Sequence, residues 1–506
     1  MNSKQAATLA PEETLDPADW NELRQLGHQM INDMMDYLQN VRERPAWSAP
    51  PADLAVRLRE PLPQQPQPAA GVYSDFITQV LPFNKNNIHP RFWAWVEGGG
   101  TAFGMLADML ASGMNANLAI GNHAPVYVER QVLEWSKELF GFPDTASGIL
   151  TSGGSMANIT ALVVARNQFL QSGIKQKGLR TVPAQLVVYG SSETHNCILK
   201  GVEVIGSGSD NFHKVPVDGD YRIRLDLLEQ MIRTDREAGL LPFCLIGNAG
   251  TVNTGAIDDL AGLAAIAGRE KLWFHIDGAF GAIPKLLPEF DDRLKGLEVA
   301  DSLSFDFHKW LYMNYEVGCV LIRDGVAHRD AFTSPVSYLL SHERGLSAGP
   351  DPFANYGMEL SRGFKALKVW MLLKEHGIQK YARLVRQNLD QAQYLGQLIA
   401  DSPDLELVAG ISLNIVCYRY NPGGPGEKGA NGKGLDKRGL DEKSLNDLNR
   451  EILMRLHEQG IAVPSYTMLG GRYAIRVAIT NHRSSREDFD LLVSASRRLG
   501  HELTLL

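Results

Sequence analysis

Two side chains in this sequence have the type and setting for carbonyl chemistry: Lys309, in SLSFDFHKWLYMNYEVG (302–318), and Asp277, in HIDGAFGA (275–282). Lys309 follows the apolar–polar alternation of a strand and stands between His308 and Trp310, so it is expected at a strand exit, partly desolvated. Desolvation lowers an amine's pKa, as a lysine that condenses with a carbonyl requires. Asp277 closes a second apolar run among small residues, and a carboxylate buried there is costly unless it meets a cation or several donors. Alone, that aspartate reads equally as a cap or a metal ligand, and most lysines are solvated surface charges. The combination argues for a site, because the strand-end aspartate is followed 32 residues later by a His-Lys pair. A third piece is TSGGSMAN (151–158), small residues that open the helical run ITALVVARN. Backbone N–H groups at such a helix start can hold an anion, although Gly-Gly-Ser by itself is commonly a plain turn.

A sheet must position these pieces. Strand-like runs at 184–190, 243–250, 271–281 and 318–324 alternate with helical segments between about residues 100 and 330, the pattern of an α/β fold with a mostly parallel sheet. Ligands in such sheets bind beyond the carboxyl ends of strands, where each motif falls. Ahead of it, apolar residues from Asp19 to about Arg42 recur at helical spacing and a proline-rich stretch follows. These predict an amphipathic helix and an extended arm that packs on another surface, such as a second subunit. SLNDLNREILMRLHEQG (444–460) and YAIRVAIT (473–480) predict a helix and a strand of a smaller α+β domain. The expected division is an N-terminal arm over 1–90, a large domain over 91–380 and a small domain over 381–506, with the Gly-, Pro- and charge-rich segment 421–443 a flexible surface insertion.

The bulk properties narrow the ligand. A formal charge of -8 over 506 residues offers no basic stripe for nucleic acid, and no stretch reaches the roughly 20 apolar residues of a membrane helix. Cys197, Cys244, Cys319 and Cys417 lie far apart without C-x-x-C pairing, against a zinc knuckle or a disulfide scaffold. The N-terminal twenty residues resemble no targeting segment. A cytoplasmic enzyme acting on a small molecule is expected, with no nucleic acid, membrane or metal partner.

Taken in order, TSGGSMAN, His195-Asn-Cys, HIDGAF and DFHKW resemble the group II decarboxylases that depend on pyridoxal 5'-phosphate (PLP), and among them the aromatic-L-amino-acid decarboxylases. Segments 89–110, 360–370 and 470–480 extend the similarity over nearly the whole chain from about residue 20. The resemblance implies an aspartate-aminotransferase-like (fold type I) large domain, a homodimer, and decarboxylation of an L-amino acid, preferably aromatic, through an external aldimine and a quinonoid. It implies that Lys309 carries PLP, that Asp277 pairs with the ring nitrogen and that His195 stacks on the ring. Gly154 and Ser155 would form the phosphate turn with Asp306 beside them, Thr251 and Ala279 would border the ring, and His308 would lie near the substrate. Trp95, Val96 and Glu97 match the substrate side.

Two departures matter. Asp306 stands where the animal relatives have asparagine. On the loop from Ser334 to Gly357, which matches the one bearing the family's proton-donating tyrosine, the tyrosines are Tyr338 and Tyr356, the latter taken as catalytic. A gapless count puts Phe353 at the family's tyrosine position, and phenylalanine there accompanies oxygen-dependent conversion to an aldehyde in related enzymes. That outcome, an acidic-amino-acid decarboxylase and an aminotransferase are the alternatives. A noncatalytic scaffold has no physical need for a desolvated lysine facing a buried carboxylate.

Overall fold

The computed structural model describes residues 13–334, 342–424 and 440–505. Tyr338 and most of the 421–443 segment lie outside these. The chain forms two compact units, one from the residues up to Arg44 with Ser48–Asn84, the other from Pro45–Trp47 with the residues from Lys85 onward.

In the first unit, Asp19 starts the helix Trp20–Gln39 by accepting the Asn21 N–H at 2.7 Å. Trp20, Leu23 and Met30 are exposed along it. The proline-rich stretch is not wholly extended as expected. Runs without proline turn into short helices, Leu54–Arg57 and Ala69–Asp75, the second entered from Pro68, whose fixed φ suits a helix start. Tyr73 donates its hydroxyl to Asp33 at 2.7 Å, holding this helix to the first.

The second unit opens with a two-residue strand, β1 (Phe92–Trp93), and continues into a seven-stranded sheet. Its strands are β2 (Ser147–Thr151), β3 (Leu186–Ser191), β4 (Phe212–Val215), β5 (Leu241–Asn248), β6 (Trp273–Asp277), β7 (Ser302–Asp306) and β8 (Gly318–Ile322), in the order β2-β8-β7-β6-β5-β3-β4. From β4 to β7 neighbouring strands run parallel, and β8 is antiparallel to both β7 and β2. β3 and β8 are buried along their whole length and read as near-continuous apolar runs, whereas β7, equally buried, alternates because Ser302 and Ser304 turn their hydroxyls to partners inside the protein. Thr151, Asn248, Asp277 and Asp306 end their strands on one edge of the sheet. Antiparallel β8 begins there, and Gly318 is required: a Cβ would stand 2.5 Å from Asp306 Oδ1 and 2.6 Å from the Gly153 Cα.

A second sheet joins β9 (Leu405–Leu407), β10 (Ile415–Tyr420), β11 (Val463–Leu469) and β12 (Arg472–Ala478) in the order β1-β11-β12-β10-β9. Helices Ile378–Ala400, Glu442–Glu458 and Arg486–Thr504 supply apolar residues to its core, where Trp93 stacks on Phe489. The strand and helix expected near the C-terminus are present. The parallel pairing of Phe92 with Val463 was not foreseen. Among the described residues, no helix is long and apolar enough to cross a membrane.

Candidate active site

At the carboxyl edge of the large sheet lies a cavity of about 460 Å³. Asp277 reaches it from the end of β6, nearly buried, its Oδ1 accepting the Ala279 N–H and its Oδ2 the amide of Asn158, both at 3.1 Å. Asn158 lies one turn into the helix Gly154–Leu170, so Gly154 and Asn158 share a face. Gly154 and Ser155 bring the start of that helix to the cavity wall, where its unpaired N–H groups favour an anion.

Lys309 follows β7 in a turn, and its Nζ lies 2.8 Å from Asp306 Oδ2. Both Asp306 oxygens are buried, and the Lys309 ammonium is their nearest cation among the described residues. Burial pushes the lysine's pKa down, but the charge of Asp306, with Asp277 behind it, outweighs burial and holds the amine above its ordinary value. The expected lowering is thus reversed, because the neighbouring carboxylates outweigh desolvation.

His195 caps the helix Asn196–Val204, its Nδ1 accepting the Cys197 N–H at 3.2 Å. The ring opens to the cavity, yet the surrounding protein removes enough water to push it below the usual imidazole value, Lys309 adding to the effect and Asp277 opposing it. His308 is lowered by burial too, held at Nδ1 by the Val317 backbone and covered by the Tyr315 ring at 4.4 Å. Thr251 and Ala279 also line the cavity.

The remaining wall comes from the segment after β1. Trp95, Val96 and Glu97 line it, fixed by the second sheet: Arg476 donates to the Trp95 carbonyl at 2.8 Å and Thr480 to the Glu97 carbonyl at 2.8 Å. Lys85 pairs with Glu97 and lies 4.2 Å from the Trp95 ring centre. Phe353 and Tyr356 do not reach the cavity of their own chain. Phe353 is buried with the guanidiniums of Arg130 and Arg362 over its ring. Tyr356 bonds through its hydroxyl to Asp351, and its carbonyl faces His328 Nε2 at 2.8 Å. Sequence reasoning passed over Asn158 and Tyr315. Asn158 could have been found from its spacing to Gly154, whereas nothing local marks Tyr315.

Residues 51–421 match the pyridoxal-dependent decarboxylase conserved domain. The chain belongs to this family. It is 32% identical over 487 residues to the aromatic-L-amino-acid decarboxylase of Bacillus atrophaeus, covering 96% of each. It is 27% identical over 503 residues to the phenylacetaldehyde synthase of Arabidopsis thaliana, covering 96% and 98%. Among solved structures, Oryza sativa TDC with PLP and tryptamine shares the fold at a TM-score of 0.86 with 24% identity, over 97% of this chain and all of that one. Catharanthus roseus tryptophan decarboxylase with L-tryptophan does so at 0.84 and 23%, over 96% and 100%. The enzyme is therefore a PLP-dependent amino acid decarboxylase of fold type I.

The cavity fits that cofactor. A buried carboxylate already anchored by two donors suits a protonated ring nitrogen, a primary amine faces inward, and a helix start of small residues suits a phosphate.

Proposed function

We propose that the enzyme converts an aromatic L-amino acid into the amine and carbon dioxide, as a cytoplasmic homodimer, with 91–380 and 381–506 as its large and small domains. The observation that carries this reading is the convergence of Lys309, Asp277 and His195 on one cavity that Trp95 and Tyr315 also line. The cofactor supplies an electron sink for the pair left when carbon dioxide departs. Lys309 would attach it and Asp277 would keep its nitrogen protonated. Backbone N–H groups at Gly154 and Ser155 would hold its phosphate near Asp306, and His195, Thr251 and Ala279 would border its ring. His308 borders the substrate, with Trp95, Val96 and Glu97 selecting its side chain. The aromatic preference draws on the relatives named above.

Tyr356 would serve a cavity only from the loop of the partner copy in the homodimer, whereas Phe353 is buried in its own chain. Burial and Asp351 push the Tyr356 phenol up to about 12, so it holds a proton to give to the α-carbon. A second reading, oxygen-dependent conversion to the aldehyde, is favoured by the similarity to a phenylacetaldehyde synthase. Carbon dioxide release across a panel of amino acids, with products identified by mass under air, separates these readings. Amine from an aromatic substrate supports the first; aldehyde, ammonia and peroxide in equal amounts support the second; release from acidic substrates alone overturns both.

A further inference from the structure

Asp306 is a buried carboxylate with an incomplete environment. It is 1% exposed, both oxygens are buried, and among the described residues its close cation is the Lys309 ammonium, 2.8 Å from Oδ2, with His308 Nε2 farther off at 3.9 Å. Its oxygens lie against the start of the helix Gly154–Leu170, so close that a Cβ on Gly154 would stand 3.0 Å from Oδ2. An ionised carboxylate in such a place needs its cation. Loading the cofactor takes that cation away and sets a phosphate beside the same oxygens.

We propose that Asp306 is the base that takes the Lys309 proton during cofactor capture, and that it stays protonated in the loaded enzyme, a donor at the phosphate end of the cavity. The proposal rests on Lys309 as the attachment point and on the Gly154 turn as the phosphate end.

The step balances. Lys309 begins as an ammonium and Asp306 as a carboxylate. One proton passes from Nζ to the facing oxygen, and the freed amine forms a bond to the aldehyde carbon of PLP. The two remaining amine hydrogens leave with the aldehyde oxygen as water, giving a carbon–nitrogen double bond. One ammonium, one carboxylate and one aldehyde become one imine, one carboxylic acid and one water, with no net charge before or after.

Geometry singles out Asp306 for this step. Its Oδ2 lies 2.8 Å from Nζ, and its charge is what holds the lysine above its ordinary value, so the amine is freed when that oxygen takes the proton. Of the other titratable groups around it, His308 and His195 are shifted down by burial, Cys197, Cys319 and Tyr315 are shifted up, and Asp277 is engaged by Asn158 and Ala279. Retaining the proton also removes a clash. A carboxylate beside phosphate repels it, whereas a carboxylic acid donates to it, as an asparagine amide would.

Infrared difference spectra of the full chain with and without PLP provide the test. A protonated-carboxyl band should appear on loading, shift with carbon-13 aspartate and vanish in Asp306→Asn. Calorimetry in two buffers gives the second arm. At neutral pH, loading the full chain should release no proton to solvent, because the one that leaves Lys309 stays on Asp306. Loading without the band, or with one proton released, overturns the proposal. Borohydride reduction and peptide mapping isolate its foundation: PLP on another lysine overturns the Lys309 assignment as well, whereas PLP on Lys309 without the band overturns only the role of Asp306.

Discussion

Asn158 donates its amide to Asp277 Oδ2 at 3.1 Å and is itself held from behind. Its Oδ1 accepts from the Ser304 hydroxyl and from His275 Nε2, the latter at 2.7 Å. His275 Nδ1 meets Ser302 Oγ at 2.8 Å, and Ser302 Oγ accepts the Trp273 indole N–H at 2.8 Å. The ends set the polarity, since an indole N–H only donates and an ionised carboxylate only accepts. His275 is then neutral with its hydrogen on Nε2, and burial pushes it down to about 4. The row delivers a donor to Asp277, which favours the ionised carboxylate that a pyridinium needs.

Replacing Asn158 by leucine removes that donor and orphans His275. Hydrogen bonds to charged groups contribute roughly 1.5–3 kcal/mol, so PLP should bind roughly 10- to 100-fold more weakly if Asp277 meets the ring nitrogen. Equilibrium dialysis against PLP checks it, with circular dichroism confirming the fold. Unchanged affinity would mean that Asp277 is positioned without help.

The pieces legible in the sequence are those whose setting is local. Asp277 and Lys309 could be placed because a strand exit is written in a few consecutive residues, and the parallel sheet because strand-like runs alternate with helical segments. The sign of the Lys309 shift was not legible. Asp306 is three residues away in sequence, and only the turn after β7 brings its oxygen to 2.8 Å from Nζ. Likewise β1 is too short to show a pattern, and its partner lies some 370 residues on. Phe353 looked like a pocket residue by position, but two arginines hold its ring elsewhere.

Those arginines bear on stability. Arg362 and Glu129 form an ion pair, their side chains 2% and 0% exposed. Arg362 donates to the Leu150 carbonyl at 2.9 Å and Glu129 accepts the Leu150 N–H at 3.3 Å, so the pair grips β2 just before the Gly154 turn. Arg362→Leu leaves a buried charge uncompensated and should cost about 3–5 kcal/mol in denaturant unfolding. Adding Glu129→Leu should recover much of that loss. A single variant as stable as the parent contradicts this account.

Three histidines shape the acid side of the stability profile. His275, His328 and His482 are each pushed by burial from 6.5 to about 4. Between those values the unfolded chain holds a proton on each that the folded chain lacks. Stability from this source is therefore complete above pH 6.5, falls as pH drops toward 4, and changes no further below it. At 1.36 kcal/mol per unit, each histidine removes about 3 kcal/mol across the window. His328 is the cleanest probe, because it lies outside the cavity, with Ser147 Oγ at its Nδ1 and the Tyr356 carbonyl at its Nε2. His328→Gln should be less stable at every pH, having lost fitted contacts. Its unfolding free energy should nonetheless fall less steeply than the parent's between pH 6.5 and 4, by close to one proton. Since every carboxylate is common to both proteins, the difference in slope isolates this ring, and parallel profiles would show that His328 is protonated in the folded state.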